Sequence, residues 1–171
     1  MNAPRAVETD LDYLAAKAAK GMCDVIGVAC KPDKEGKTQV VKAKEAENLF
    51  QKALGILQES GVFACGLFLL SRSGTATAWK DAGAEEVAAC YGLSTLIGLA
   101  KGGVFSAVQP EFSQGALPPA DVNAKKRALI DHMVKVAGTS LDRLLLIKQV
   151  WEQTLIYARF MAKARKEKEA A

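Results

Sequence analysis

Residues 46–74 read AENLFQKALGILQESGVFACGLFLLSRSG and contain the clearest helical pattern of the sequence. Apolar side chains repeat at three- and four-residue spacing in its first half, which predicts an amphipathic helix over residues 41–60. Gly61 stands where such a helix ends in a left-handed cap. Residues 62–71 are nearly all apolar, so we expect a second, short helix that is buried on most sides at the centre of a bundle.

Upstream of this stretch the pattern predicts one helix and one loop. The helix begins at Thr9 or Asp10, both good N-cap residues, and its apolar positions continue to Ala29. Residues 31–37 (KPDKEGK) contain Pro and Gly, which interrupt the pattern and predict a loop.

Downstream of it the chain alternates between helical and irregular sequence. Residues 77–101 predict a helical region with a break near Gly83 or Gly92. Residues 102–123 are rich in Gly and Pro and exceed the roughly 12 to 15 residues of an ordinary loop, so we interpret them as an irregular insertion or loop. A further helix is predicted over residues 124–136.

The last predicted helix is the longest, over residues 141–168, with Thr139 or Ser140 as its cap. No strand-like alternation occurs in the sequence. We therefore expect an all-α fold, with residues 1–171 forming a single compact bundle of about five to seven helices. The packing stripe of the long C-terminal helix is predicted to consist of Leu144, Ile147, Trp151, Leu155, Ala158 and Ala162.

Composition excludes several classes of protein. Half of the 171 residues are hydrophobic, which can supply a core and argues against a disordered chain. The four cysteines fall in apolar sequence without a Cys-x-x-Cys pair, so we interpret them as buried thiols in a reducing cytoplasm. The N-terminus has no apolar signal segment, and the longest apolar run, residues 61–70, is about half of what a membrane span needs. We expect a cytoplasmic protein without membrane contact.

The net charge of +4 conceals an uneven distribution. Residues 1–123 carry 12 basic and 14 acidic side chains, a net charge of −2. Residues 124–171 carry 11 basic and 5 acidic side chains, a net charge of +6. A basic region of this kind attracts polyanions by long-range electrostatics.

Four cations form a line on the last helix. Lys148, Arg159, Lys163 and Lys166 lie within about 60° of one another and, by our interpretation, on the side away from the packing stripe. Glu152 alone interrupts the line. Such a line can follow a phosphate backbone without reading its sequence, whereas the alternative interpretation is an ordinary solvated helix face.

With these elements in order, the chain resembles the small α-helical subunit of type III-B CRISPR RNA-guided effector complexes. The resemblance begins with the opening amphipathic helix and continues through a helix that ends in Gln-x-x-Gly and an apolar helix that ends in Phe-Leu-Leu-Ser. A Tyr-x-Leu helix and a long last helix with a basic-aromatic sequence follow. The residues concerned are Gln58, Gly61, Phe68, Leu69, Leu70, Ser71, Tyr91, Leu93, Arg159 and Phe160.

The resemblance implies a non-catalytic subunit of an antiviral ribonucleoprotein. Copies of it would stack in an inner filament beside other CRISPR effector subunits and line the duplex of guide RNA and target RNA. Guide pairing reads the sequence in such complexes, so the protein needs only backbone contacts. The expected phosphate-binding residues are Arg143, Lys148, Arg159 and Lys163, followed by Lys17, Lys20 and Arg72.

The sequence contains little that indicates an enzyme. His132 is the one histidine, and a triad or a His-based metal site would have to be built around it alone. Glu85 and Glu86 are adjacent, which favours an acidic turn over an acid-base pair. The chain has no phosphate-binding Gly-x-x-x-x-Gly-Lys loop. We therefore expect no catalytic residues, no metal and no cofactor.

Three other interpretations remain open. A helical adaptor that binds only protein would have the same helices. A basic amphipathic helix over residues 141–168 could lie on anionic lipid, although its widely spread apolar residues favour a bundle. Trp79, Trp151 and Tyr157 could form a stacking surface, although their separation in the sequence favours core packing.

Overall fold

A computed structural model describes residues 11–74, 79–101, 134 and 140–169 of the chain. These residues are mostly helical, which confirms the all-α class but not the predicted number of helices. The described elements are α1 (Leu11–Cys23), β1 (Ala29–Cys30), β2 (Gln39–Val40), α2 (Ala43–Arg72), a 3-10 turn (Trp79–Asp81), α3 (Ala84–Lys101) and α4 (Leu141–Glu169).

The predicted number of helices is wrong for the part of the chain that the structure describes. It holds four α-helices rather than five to seven, because the two helices expected on either side of Gly61 join into α2 and the helix predicted at 124–136 lies outside the described residues apart from Val134. The predicted insertion at 102–123 also lies outside them.

Helix α1 ends at Cys23, six residues before the predicted end at Ala29. The chain instead turns at Gly27, whose φ of 92° is a conformation that favours glycine. The Gly27 N–H donates to the Val41 carbonyl at 2.9 Å, and the Val41 N–H donates to the Val28 carbonyl at 2.9 Å. These bonds draw the chain away from a helical path.

A two-stranded antiparallel ribbon follows, in which Ala29 pairs with Val40 and Cys30 with Gln39. The sequence shows no strand-like alternation, since strands of two residues are too short to produce one. The predicted loop at 31–37 is confirmed. Its Asp33 side chain accepts hydrogen bonds of 2.9 Å from the backbone of Glu35 and of Lys37.

Helix α2 bends at Gly61, where φ is 86° and ψ is −175°. The sequence correctly placed a break there, but the chain continues into a second helical segment without an intervening loop. At the start of α2 the Glu45 carboxylate accepts a hydrogen bond of 3.0 Å from the Lys42 N–H, which satisfies one of the free donors at the helix end.

The second segment of α2 is less buried than predicted. Val62, Cys65 and Leu69 lie in the core, but Phe63 is 40% exposed and Leu67 is 39% exposed. By length and composition α2 is apolar enough to cross a membrane, with a mean hydropathy of 1.7 over its most apolar window, of which 39% is buried inside the protein. Core helices of soluble proteins meet the same criterion.

Helix α3 starts after the predicted break at Gly83 and runs uninterrupted through Gly92. The Glu86 carboxylate accepts a hydrogen bond of 3.2 Å from the Gly83 N–H at this start. Gly92 is buried, and a Cβ atom there would lie 3.4 Å from the Met22 Cε and 3.7 Å from the Phe50 ring. These are ordinary van der Waals distances, so Gly92 lies where α3 packs against α1 and α2.

Helix α4 packs against both α1 and α2. Its predicted packing stripe is confirmed, since five of the six residues are buried and Leu144 is partly buried. The Arg143 N–H donates to Ser140 Oγ at 3.4 Å, as expected for a capping serine. One core joins the four helices, and its largest buried side chains include Met22, Phe50, Leu57, Leu69, Leu96, Trp151 and Leu155.

Candidate nucleic-acid interface

Lys148, Arg159 and Lys163 form a row along one flank of α4. They are separated by eleven and four residues, which are near-integral numbers of helical turns. Lys163 is exposed, whereas Lys148 and Arg159 are half-buried. The prediction that the row lies on the far side of the helix is therefore wrong for these two residues, which border the packing stripe.

The acid within this row, Glu152, is held by a residue of α2. Gln58 Nε2 donates a hydrogen bond of 2.7 Å to Glu152 Oε1. Because this bond turns the carboxylate toward α2, Glu152 serves the contact between the helices while it reduces the positive potential of the row.

Lys166 continues the row by its helical spacing, but its side chain forms an ion pair. Its Nζ lies 3.5 Å from the Glu47 carboxylate of α2, and the Glu47 side chain is only 13% exposed. The pair ties the end of α4 to the start of α2. Its charge is balanced locally, so Lys166 adds less to an anion-binding surface than Lys163 does.

Arg159 is held in place beside an exposed aromatic ring. The Arg159 Nε is buried and has no hydrogen-bond partner in the part of the chain that the structure describes. Its guanidinium carbon lies 5.9 Å from the centroid of the Phe160 ring, and Phe160 is 58% exposed. The sequence placed Phe160 only in the basic-aromatic segment of the resemblance and gave it no role in binding. Its position three residues before Lys163, outside the packing stripe, is the signal that would have identified it.

The structure does not bring the other predicted residues into this row. Arg143 is exposed, but five residues before Lys148 it points about 140° away around the helix. Lys17 and Lys20 are exposed on α1, where Tyr13 is also 62% exposed. They form a separate basic surface on a different helix.

Arg72, the remaining predicted residue, has partners at the end of α2. Its Nη1 lies 3.6 Å from the Glu85 carboxylate, and its guanidinium carbon lies 5.6 Å from the Phe68 ring centroid. This exposed pair connects α2 with the first turn of α3. The acids Glu85 and Glu86 thus both have structural contacts, Glu85 with Arg72 and Glu86 with the backbone of Gly83.

Arg165 lies in the same part of α4 as Lys163, but its side chain contacts the end of α1. Its Nη1 donates a hydrogen bond of 2.6 Å to the Cys23 carbonyl, and its Nη2 lies 3.8 Å from Asp24. Helix α1 ends at Cys23, so Arg165 neutralises the carbonyl end of that helix. Part of the +6 charge of residues 124–171 is therefore used to join α4 to α1.

The thiols of Cys23, Cys30, Cys65 and Cys90 are buried in the core, as predicted. Burial raises the pKa of Cys23 to about 11 and that of Cys65 to about 12, so both remain protonated at neutral pH. Among the described residues no group of His, Cys, Asp and Glu could hold a metal ion. His132 lies outside them.

Comparison of the chain with known protein families, with curated proteins and with solved structures finds no match. The resemblance to the CRISPR small subunit therefore remains a prediction.

Proposed function

We propose that the chain is a non-catalytic RNA-binding protein that holds a nucleic-acid backbone on one flank of α4. The observation that carries the proposal is the alignment of Lys148, Arg159 and Lys163 on a single rigid helix. Lys163 is exposed and has no ion-pair partner among the residues that the structure describes. A cation in this state can exchange its hydration for a phosphate contact.

Binding through this row would be independent of sequence. Lysine and arginine contacts to phosphate position a nucleic acid but do not read its bases. The half-buried stem of Arg159 limits the movement of its guanidinium, which lowers the entropy that binding would cost. Arg159 is thus the fixed element of the row, and Lys163 is the adaptable one.

Within this class we propose the small subunit of a type III CRISPR ribonucleoprotein effector, which follows from the sequence resemblance. In that role the chain would contact guide RNA and target RNA, other copies of itself and other effector subunits in the cytoplasm. It would act in antiviral defence without a cofactor or a membrane. An all-helical bundle with a long basic last helix is compatible with this role.

Charge reversal of Lys163 tests the phosphate contact. We expect Lys163→Glu to weaken binding of a labelled single-stranded RNA by about tenfold at low salt, because it removes one cation and adds repulsion. Lys34→Glu makes the same charge change in the loop between β1 and β2 and serves as the matched control. Equal affinities of the two variants would contradict the proposal.

A helical adaptor that binds only protein is the second candidate, favoured by exposed apolar side chains. Phe63 and Leu67 of α2 are 40% and 39% exposed, and Leu141 and Leu145 of α4 are 68% and 55% exposed. Leu141 and Leu145 lie one turn apart on α4, and contiguous exposed apolar surface is typical of protein-binding sites. Recovery of one stoichiometric protein partner after nuclease treatment, with loss of that partner in Leu145→Glu, would favour this function.

A further inference from the structure

The surface around Phe160 differs from a purely cationic phosphate contact. Phe160 is 58% exposed on α4, one of the most exposed large apolar side chains in the described part of the chain. Arg159 precedes it, with its guanidinium carbon 5.9 Å from the ring centroid, and Lys163 follows three residues later, at a spacing that makes side chains neighbours on a helix. A contact to phosphate alone requires the cations but offers no reason for the exposed ring.

Arg159 lies at the border of the packing stripe and is half-buried. Its Nε is buried and has no hydrogen-bond partner in the described residues, so a phosphate would be bound by the two Nη groups. Such a charge-assisted contact offsets part of the cost of burying the guanidinium.

We propose that this surface binds single-stranded RNA, with an unpaired base stacked on Phe160 and the adjoining phosphates contacted by Arg159 and Lys163. The inference rests on the phosphate-binding part of the proposed function and names a single strand as the preferred ligand, in place of the guide–target duplex that the resemblance implies. Base pairing and stacking hide the faces of bases in an RNA duplex, and the duplex presents mainly sugars and phosphates to a protein. A single strand exposes both the base face and the phosphate, which are the groups that an aromatic ring flanked by cations recognises.

The contact between Arg159 and Phe160 suits the binding of a base. The guanidinium carbon is 5.9 Å from the ring centroid, close enough for a cation–π contact that orients both groups. A base that stacks on the ring would extend the same stack. Because every base has a π-face, the surface would accept any base.

The experiment compares three ligands of equal length by fluorescence anisotropy with the full chain. These are a labelled single-stranded oligouridine, an RNA duplex, and a single strand with abasic positions that keeps the phosphates but lacks bases. We expect the oligouridine to bind more tightly than the other two. Phe160→Ala should weaken oligouridine binding by about fivefold or more and leave abasic binding unchanged, because stacking on an aromatic ring is lost.

Two control variants and one folding measurement complete the design. Phe160→Tyr should restore binding, since it keeps the π-face. Phe63→Ala removes an exposed phenylalanine of α2 and should have no effect on any ligand. The far-ultraviolet circular dichroism and melting temperature of Phe160→Ala should match those of the natural chain, because the ring is largely exposed.

The two proposals fail in different ways. If all three ligands bind with equal, salt-sensitive affinity and Phe160→Ala has no effect, the stacking inference is overturned while the phosphate-binding function stands. If none of the three ligands binds, the proposed function fails and the inference fails with it. Loss of self-association in Phe160→Ala on size-exclusion chromatography, with RNA binding unchanged, would show that the ring contacts protein and would also overturn the inference.

Discussion

Gln58 of α2 donates a 2.7 Å hydrogen bond to Glu152 of α4, across 94 residues of sequence. This contact explains why an acidic side chain lies within the basic row of α4. The carboxylate is oriented by the neighbouring helix, so its position is set by packing. The row is consequently less positive than its lysines and arginine alone would make it.

Removal of this negative charge should strengthen RNA binding. Glu152→Gln keeps the size of the side chain, and we expect a gain in affinity of about threefold at low salt, since one repulsive charge near the phosphates is lost. The gain should shrink as salt rises. Glu35→Gln, in the exposed loop between the strands, is the matched control and should leave binding unchanged. A loss of affinity in Glu152→Gln would show that Glu152 acts as a ligand contact.

Gly61 should tolerate substitution less well than Gly55, another glycine of α2. Its φ of 86° and ψ of −175° are adopted almost only by glycine, so we expect Gly61→Ala to lower the free energy of unfolding by about 1–3 kcal/mol. No atom within 4 Å would obstruct a Cβ at either Gly61 or Gly55. Gly55→Ala should therefore stabilise the helix by about 0.5–1 kcal/mol. Urea unfolding measures both, and equal effects would contradict the kink at Gly61.

Substitutions at Arg165 and Lys163 should affect different properties. Arg165 should matter mainly for stability and Lys163 mainly for RNA affinity. Arg165→Gln removes the hydrogen bond to the Cys23 carbonyl, and we expect a loss of about 1–2 kcal/mol in the free energy of unfolding. Lys163→Gln should change the stability by less than about 0.5 kcal/mol because the side chain is exposed. RNA affinity should show the reverse order. A larger loss of affinity in Arg165→Gln, measured where both variants are folded, would place the binding surface on the α1 side of α4.

Alkaline pH should destabilise the protein through its buried thiols. Cysteine ionises near 9.0 in its ordinary state, whereas burial raises the pKa to about 11 for Cys23 and about 12 for Cys65. The folded state therefore retains protons that the unfolded chain loses. The stability from this difference is complete below pH 9 and falls as pH rises through the pKa values of the folded protein.

Urea unfolding between about pH 8 and pH 10.5 tests this dependence. We expect the free energy of unfolding to fall by about 1 kcal/mol or more per pH unit above pH 9. The double variant Cys23→Ala, Cys65→Ala should have a shallower slope at lower overall stability. An equally steep slope in the double variant would assign the effect to other groups.

Periodicity was sufficient to predict the core face of α4 and the break at Gly61. Both follow from local rules, namely the helical repeat of apolar residues and the special conformations of glycine. The partial burial of the Arg159 side chain could not be predicted in the same way. Whether a side chain at the border of the packing stripe is half-buried depends on how closely the neighbouring helix approaches, which the spacing within one helix does not determine.

Long-range contacts could not be predicted from the sequence either. Arg165 and Cys23 are separated by 142 residues, so no local pattern connects the cation with the end of α1. The strands β1 and β2 were missed for a different reason, since each has only two residues. Of the predicted site, the row of Lys148, Arg159 and Lys163 followed from helical spacing, while the roles of Glu152 and Phe160 required the structure.

The salt dependence of RNA binding shows whether the row of cations on α4 contacts phosphate. If Lys148, Arg159 and Lys163 each contact a phosphate, the affinity for a single strand should fall by about twentyfold between about 50 and 200 mM salt. Lys163→Gln should make this slope shallower by about one third, because one contact is lost. RNA binding that is unchanged across this range of salt, or a slope that Lys163→Gln leaves unaltered, would contradict the account.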